Sequence, residues 1–122
     1  MKSSASTKHF GKRAEDMAAR FLQDKGYVII ARNWTCKAGE LDIVARYKEL
    51  LVFVEVKARH TQDAGDAFAA ITPRKRSRLL QAIEDYLSMH PMVEPSWRLD
   101  AIAVTSHRGE ILLEHVEDVL GW

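Results

Sequence analysis

Apolar positions along the chain fall into two periodicities. From Gly11 to Lys25 the residues Ala14, Met17, Ala18, Phe21 and Leu22 recur at helical spacing, and Gly26 stands where a glycine cap would end that helix. YVIIARNW, Tyr27 to Trp34, reads as a strand. The next stretch, GELDIVARYKELLVFVEVKAR, predicts a hairpin with strands near 39–47 and 50–58 around a Lys48-Glu49 turn. Residues 60–71 predict a loop or a short helix. Thr72 followed by Pro73 supplies an N-cap and a first-turn proline for a helix running to about Met89, which His90-Pro91 stops. After the loop HPMVEPS come two further strands, about Trp97–Thr105 and Glu110–His115. The order αβββαββ indicates an α/β or α+β domain. Residues 1–9 read as a flexible tail and 10–122 as a single domain.

The hairpin raises a question of charge. Glu40, Asp42, Glu55 and Lys57 interrupt it, although acidic residues are poor strand formers. By alternation Glu40 and Asp42 share one face, with Leu41, Ile43 and Ala45 on the other; Leu51, Phe53, Glu55 and Lys57 share a face opposed by Val52, Val54 and Val56. With a two-residue turn, Asp42 lies opposite Glu55 and Glu40 opposite Lys57, at Cβ separations of ~4.5–5.5 Å. The ordinary alternative is a solvated hairpin face. Against it, LLVFVEV is nearly continuous, as in a strand covered on both sides. Like charges facing each other also destabilise a strand pair, so Asp42 and Glu55 require a cation: a metal ion, Lys57, or both. Carboxylate pairs suit hard cations such as Mg²⁺ or Mn²⁺. A lysine two residues from one of them suits metal-assisted phosphodiester hydrolysis, in which it positions water or stabilises developing charge.

Composition narrows the surroundings. A single cysteine, Cys36, excludes an internal disulfide framework and a thiolate metal site. No apolar run approaches a membrane span, and the first nine residues lack the apolar core of a secretory signal, so the cytoplasm is the expected compartment and no membrane partner is expected. Net charge is only +1, so any nucleic-acid binding must come from a local patch. Such a patch is available at TPRKRSR, where Arg74, Lys75, Arg76 and Arg78 crowd the positive end of the second helix. Either the start of that helix is simply solvated, or it receives an anion such as phosphate. Lys75 shares the stripe of Leu79, Ala82 and Tyr86 and so can turn toward the sheet; Lys8, Lys12, Arg13 and Arg59 can extend the path. The five histidines show no ligand spacing and read as incidental, His60 alone following the site strand. Trp34, Trp97 and Cys36 read as packing residues, and Asp100, in an apolar strand, as either a core hydrogen-bonding group or a support to the site.

Asp42, twelve residues and then Glu55-Val56-Lys57 resembles the PD-(D/E)XK nuclease motif, with Leu41 in place of its non-ligating proline. The blocks GKRAEDMA, RNWTCKAGELDIVA, LVFVEVKAR, AITPRKRSRL and RLDAIAV resemble the YraN-like family of small bacterial proteins from about Gly11 to Val119. That family is related to Holliday-junction resolvases. The resemblance implies a restriction-endonuclease-like α/β domain, a central mixed sheet of about five strands flanked by helices. It implies Asp42, Glu55 and Glu15 as metal ligands with the Val56 carbonyl, Lys57 as the catalytic lysine, and Mg²⁺ or Mn²⁺ as cofactor. It further implies a nuclease acting on DNA, branched or damaged DNA included, and a homodimer by analogy with the resolvases. The alternative is a nucleic-acid-binding accessory protein without catalysis on the same fold. From the residues alone Glu15 either leans toward the sheet or extends into water, and the resemblance favours the site. Glu40 either joins the site, pairs with Lys57 or caps the strand.

Overall fold

In the computed structural model, described for residues 4–60, 71–91 and 96–120 with side chains from His9 onward, seven elements follow one another. They are α1 (Ser4–Asp24), β1 (Val28–Cys36), β2 (Gly39–Tyr47), β3 (Leu50–Arg59), α2 (Pro73–Met89), β4 (Trp97–His107) and β5 (Glu110–Val116). This is the expected order, with a five-stranded sheet in the order β1-β2-β3-β4-β5. The β3–β4 pair is parallel and the others antiparallel, so the sheet is mixed. A parallel pair needs a crossover, and α2 lies in the chain between its two strands. The expected loop or short helix at 60–71 and most of the HPMVEPS loop lie outside the described residues.

Two apolar clusters explain the continuous run in β3. Val52 and Val54 pack with Ala14, Ala18 and Leu22 of α1, whereas Leu51 and Phe53 pack with Leu79, Ala82, Ile83 and Tyr86 of α2. The central strand is therefore apolar on both faces because each face carries a helix. Burying each such side chain contributes ~1.5–3 kcal/mol, which outweighs the weak strand preference of a single Glu55. At the end of α1, Gly26 (φ 97°) donates to Gln23 O and Tyr27 N donates to Leu22 O, the paired bonds of a Schellman cap. At α2 the Thr72 side chain accepts from Lys75 N, with Pro73 in the first turn, as expected.

Two expectations need correction. The first helix starts at Ser4 rather than Gly11, so residues 4–9 of the expected tail are helical. Phe10, buried one turn ahead of Ala14, carried the signal for this earlier start. Leu41 does not share a face with Ile43 and Ala45, because it packs in the α2 cluster while they pack in the α1 cluster. Strand alternation thus slips at Asp42. The β1–β2 register holds through this level, and across from Asp42 it is Asn33, with a left-handed φ of 51°, that stands between Arg32 and Trp34, the partners of Ile43 and Leu41; the register shift of β1 lies earlier, between Ile29 and Ala31.

Candidate functional site at a fork in the sheet

The β2–β3 turn has the expected register, from Tyr47 opposite Leu50 to Ile43 opposite Val54, and there the ladder ends. Beyond that point β2 pairs only with β1, down to Gly39 opposite Cys36, while β3 continues beside β4 to Arg59. The sheet forks. A fork leaves backbone groups without a ladder partner, and each must find one. Asp42 Oδ2 accepts the Val56 N–H at 2.8 Å, which bridges the two prongs. Since the N–H and C=O of an extended residue point to the same side, the Val56 carbonyl is also directed into the fork.

A cleft of about 370 Å³ opens here, lined by Glu15 of α1, Glu40 and Asp42 of β2, Glu55, Val56 and Lys57 of β3, and Lys75 and Arg78 of α2. Both helices and both prongs thus contribute side chains to one depression. Asp42 and Glu55 are buried. Burial, reinforced by the adjacent Glu55 carboxylate, pushes the Asp42 carboxyl up to about 8, against the lowering effects of the Val56 N–H and Lys57. The Glu40 pKa is raised by burial and then by Asp42 and Glu15. Lys57 moves the other way: burial and the neighbouring Lys75 lower its pKa, while Glu55 and Asp42 oppose that shift. Lys75 Nζ lies 3.7 Å from Glu55 Oε2, a charge pair longer than a hydrogen bond.

The expected set comes together in part. Asp42, Glu55, Val56, Lys57 and Glu15 all line the cleft, as do Lys75 and Arg78. Lys12, Arg13, Arg59, Arg74 and Arg76 do not line it. Neither expected cross-strand pair, Asp42 opposite Glu55 or Glu40 opposite Lys57, forms, because the ladder ends at Ile43 opposite Val54 and the strands then diverge; instead one oxygen from each of Glu15, Glu40 and Asp42 lies within 4.8 Å of the others. An all-oxygen donor set in which burial and a neighbouring carboxylate hold one carboxyl back from ionisation fits a hard divalent cation. His60 packs its ring at a tilt of 39° against Phe10, with 4.3 Å between ring centroids, and lines no part of the cleft.

Asp100 belongs to a different structure. Its carboxylate accepts two hydrogen bonds from Arg98 at 2.7 Å and one from the Asp118 N–H, and His115 Nε2 lies 2.9 Å away. It is a fully buried core group outside the cleft lining. His115 is consequently not incidental, since its Nδ1 also lies 2.9 Å from Lys25 Nζ.

Residues 14–104 match the model described as "Uncharacterised protein family UPF0102". The chain belongs to the UPF0102 family. It is 45% identical over 115 residues to a UPF0102 protein of Ralstonia nicotianae, covering 91% of this chain and 85% of that protein. A UPF0102 protein of Roseiflexus castenholzii is 43% identical over 109 residues, covering 87% of this chain and 88% of the other. One of Kineococcus radiotolerans is 42% identical over 111 residues, covering 89% and 91% respectively. The YraN-like resemblance therefore holds at the level of the family, and the matched span includes every carboxylate and cation of the UPF0102 cleft named above.

Proposed function

We propose that this UPF0102 protein is a metal-dependent nuclease hydrolysing phosphodiester bonds in DNA, branched or damaged DNA included. The observation that carries the reading is the convergence of Asp42, Glu55, Val56 and Lys57 at the fork with Glu15 and Glu40 on one side and Lys75 and Arg78 on the other. In this reading Asp42, Glu55, Glu15 and the Val56 carbonyl hold Mg²⁺ or Mn²⁺, and Glu40 joins them. The cation supplies Lewis acidity for water and for the scissile phosphate. Lys57 orients the water and offsets developing negative charge, and its lowered pKa makes it a readier proton donor to the departing oxygen. Lys75 and Arg78, at the positive end of α2, hold the flanking phosphate. Nucleic acid is the partner this chemistry requires, and analogy with the resolvases that the motif resembles extends the reading to a homodimer; the cytoplasm is the compartment proposed from the lone cysteine and the absence of a secretory-signal pattern. Among the described residues no helix is long and apolar enough to cross a membrane.

The test is cleavage of end-labelled single strands, duplexes, flaps, four-way junctions and RNA in Mg²⁺ and in Mn²⁺, with Glu55→Gln in parallel. Cutting that requires the cation and is lost in the variant is the expected result. Tight, salt-sensitive binding without cutting would replace this reading with that of an accessory protein on the same fold.

A further inference from the structure

Among the described residues that line the cleft, Glu15 is the one carboxylate that comes from a helix. Its Oε1 accepts from Asn33 Nδ2 at 2.8 Å. Arg32, the preceding residue, lies 4.0 Å from the same oxygen and donates to Asp16 Oδ1 at 2.7 Å. Asn33 and Arg32 are consecutive in β1, where strict alternation would send them to opposite faces. The left-handed φ of 51° at Asn33 removes that constraint, and both side chains reach α1. Asparagine is among the few residues other than glycine that adopt this conformation readily, and it alone combines that tolerance with an uncharged amide donor.

We infer that Asn33 is a positioning residue for the cleft: its left-handed backbone aims an amide donor at Glu15 and thereby fixes the helix-borne carboxylate beside Glu40 and Asp42. The inference rests on the metal-binding part of the reading above. A donor on one Glu15 oxygen restrains rotation of the carboxylate and narrows the directions its other oxygen can take. Partners of this kind are commonly worth ~10–100-fold in metal affinity, and this pair, being exposed, belongs at the lower end.

Glycine takes φ 51° without strain, so Asn33→Gly removes the donor while sparing the backbone. Asn33→Asp keeps the shape but presents a carboxylate to Glu15. Titration calorimetry with Mn²⁺ on wild type, both variants, Glu15→Gln and the Asn33→Gly/Glu15→Gln double variant, with thermal unfolding of each without metal, tests the assignment. Expected are a loss of Mn²⁺ affinity of about tenfold in Asn33→Gly and a larger loss in Asn33→Asp. Unfolding of Asn33→Gly without metal should stay near wild type, and the double variant should bind no more weakly than Glu15→Gln alone. Unchanged affinity in Asn33→Gly, or additive losses in the double variant, would overturn the positioning role and leave the metal site standing. No Mn²⁺ binding by wild type would overturn both.

Discussion

Asp42 accepts the Val56 N–H at 2.8 Å, while burial and Glu55 push its carboxyl up to about 8 from an ordinary 3.8. The first fact makes an acceptor at this position part of the fold; the second makes a charge there costly until a cation arrives. Because the folded-state pKa is raised, the stability linked to this group is fully present below about pH 4 and is lost as pH climbs toward 8. Asp42→Asn keeps a carbonyl for Val56 and removes the titration. It should unfold at higher urea concentration than metal-free wild type at pH 8, by ~2 kcal/mol, with a smaller gain at pH 5. Asp42→Ala should fall ~1–3 kcal/mol below the asparagine variant, because it leaves the Val56 N–H without its partner. Equal stability of the two variants would mean that Val56 finds another acceptor. Asp42, Glu55 and Lys57 were legible in the sequence because charge inside an apolar strand pair stands out. The two cross-strand pairs, Asp42 with Glu55 and Glu40 with Lys57, both fall beyond the end of the ladder, since the sequence of a hairpin does not announce where its strands diverge. Asn33 was passed over, because a left-handed residue within a strand leaves no mark on hydrophobic periodicity.

Elements were easier to read than their ends. The five strands and α2 follow from alternation, a two-residue turn and the Thr72-Pro73 start, all of which are local signals. The start of α1 was set too late because the polar stretch before Phe10 hides a helix whose stripe begins one turn early. At α2 the helical stripe did more than find the element. It singled out Lys75, which lines the cleft; Arg78, one turn on, lines it as well, whereas Arg74 and Arg76 do not. That division makes a prediction at the scale of the helix. Lys75→Gln/Arg78→Gln should weaken DNA binding and lower the slope of log affinity against log salt by about two, one for each phosphate no longer neutralised. The slope is read from fluorescence anisotropy across a salt series. Arg74→Gln/Arg76→Gln, carrying the same charge loss, should change the slope less. Equal effects would reduce the α2 contribution to a diffuse positive field.

At the scale of the molecule, two buried acidic centres among the described residues titrate in opposite senses. One is the fork; the other is Asp100 on β4, which meets His115 of β5 and the Asp118 backbone that follows β5, and is linked to the turn between α1 and β1 by Arg98, which donates to Tyr27 OH, and by His115, which contacts Lys25. A lysine ammonium can only donate, so His115 Nδ1 accepts from Lys25 and Nε2 carries the proton facing Asp100. Strand alternation joins only Arg98 to Asp100, two residues apart on β4; His115, Asp118, Lys25 and Tyr27 lie far off in the chain and meet them only in the folded sheet. Burial alone would raise the Asp100 pKa, but the hydrogen bonds from His115, Arg98 and Asp118 hold it below 3.8. A lowered folded-state pKa gives stability that is present above the unfolded value of ~3.9 and lost as pH falls through the folded one. Asp100→Asn should therefore cost ~3–5 kcal/mol at neutral pH, as expected when one partner of a buried ion pair is removed, with the deficit narrowing below about pH 4. Superposed on the fork, which favours acid, this network sets the acid limit. Metal-free wild type should be most stable at mildly acidic pH, and saturating Mn²⁺ should raise the alkaline limb of a melting-temperature profile while leaving the acid limb unchanged. An alkaline limb indifferent to Mn²⁺ would separate the stability of the fork from cation binding. A flat acid limb in wild type would show that Asp100 keeps its charge throughout.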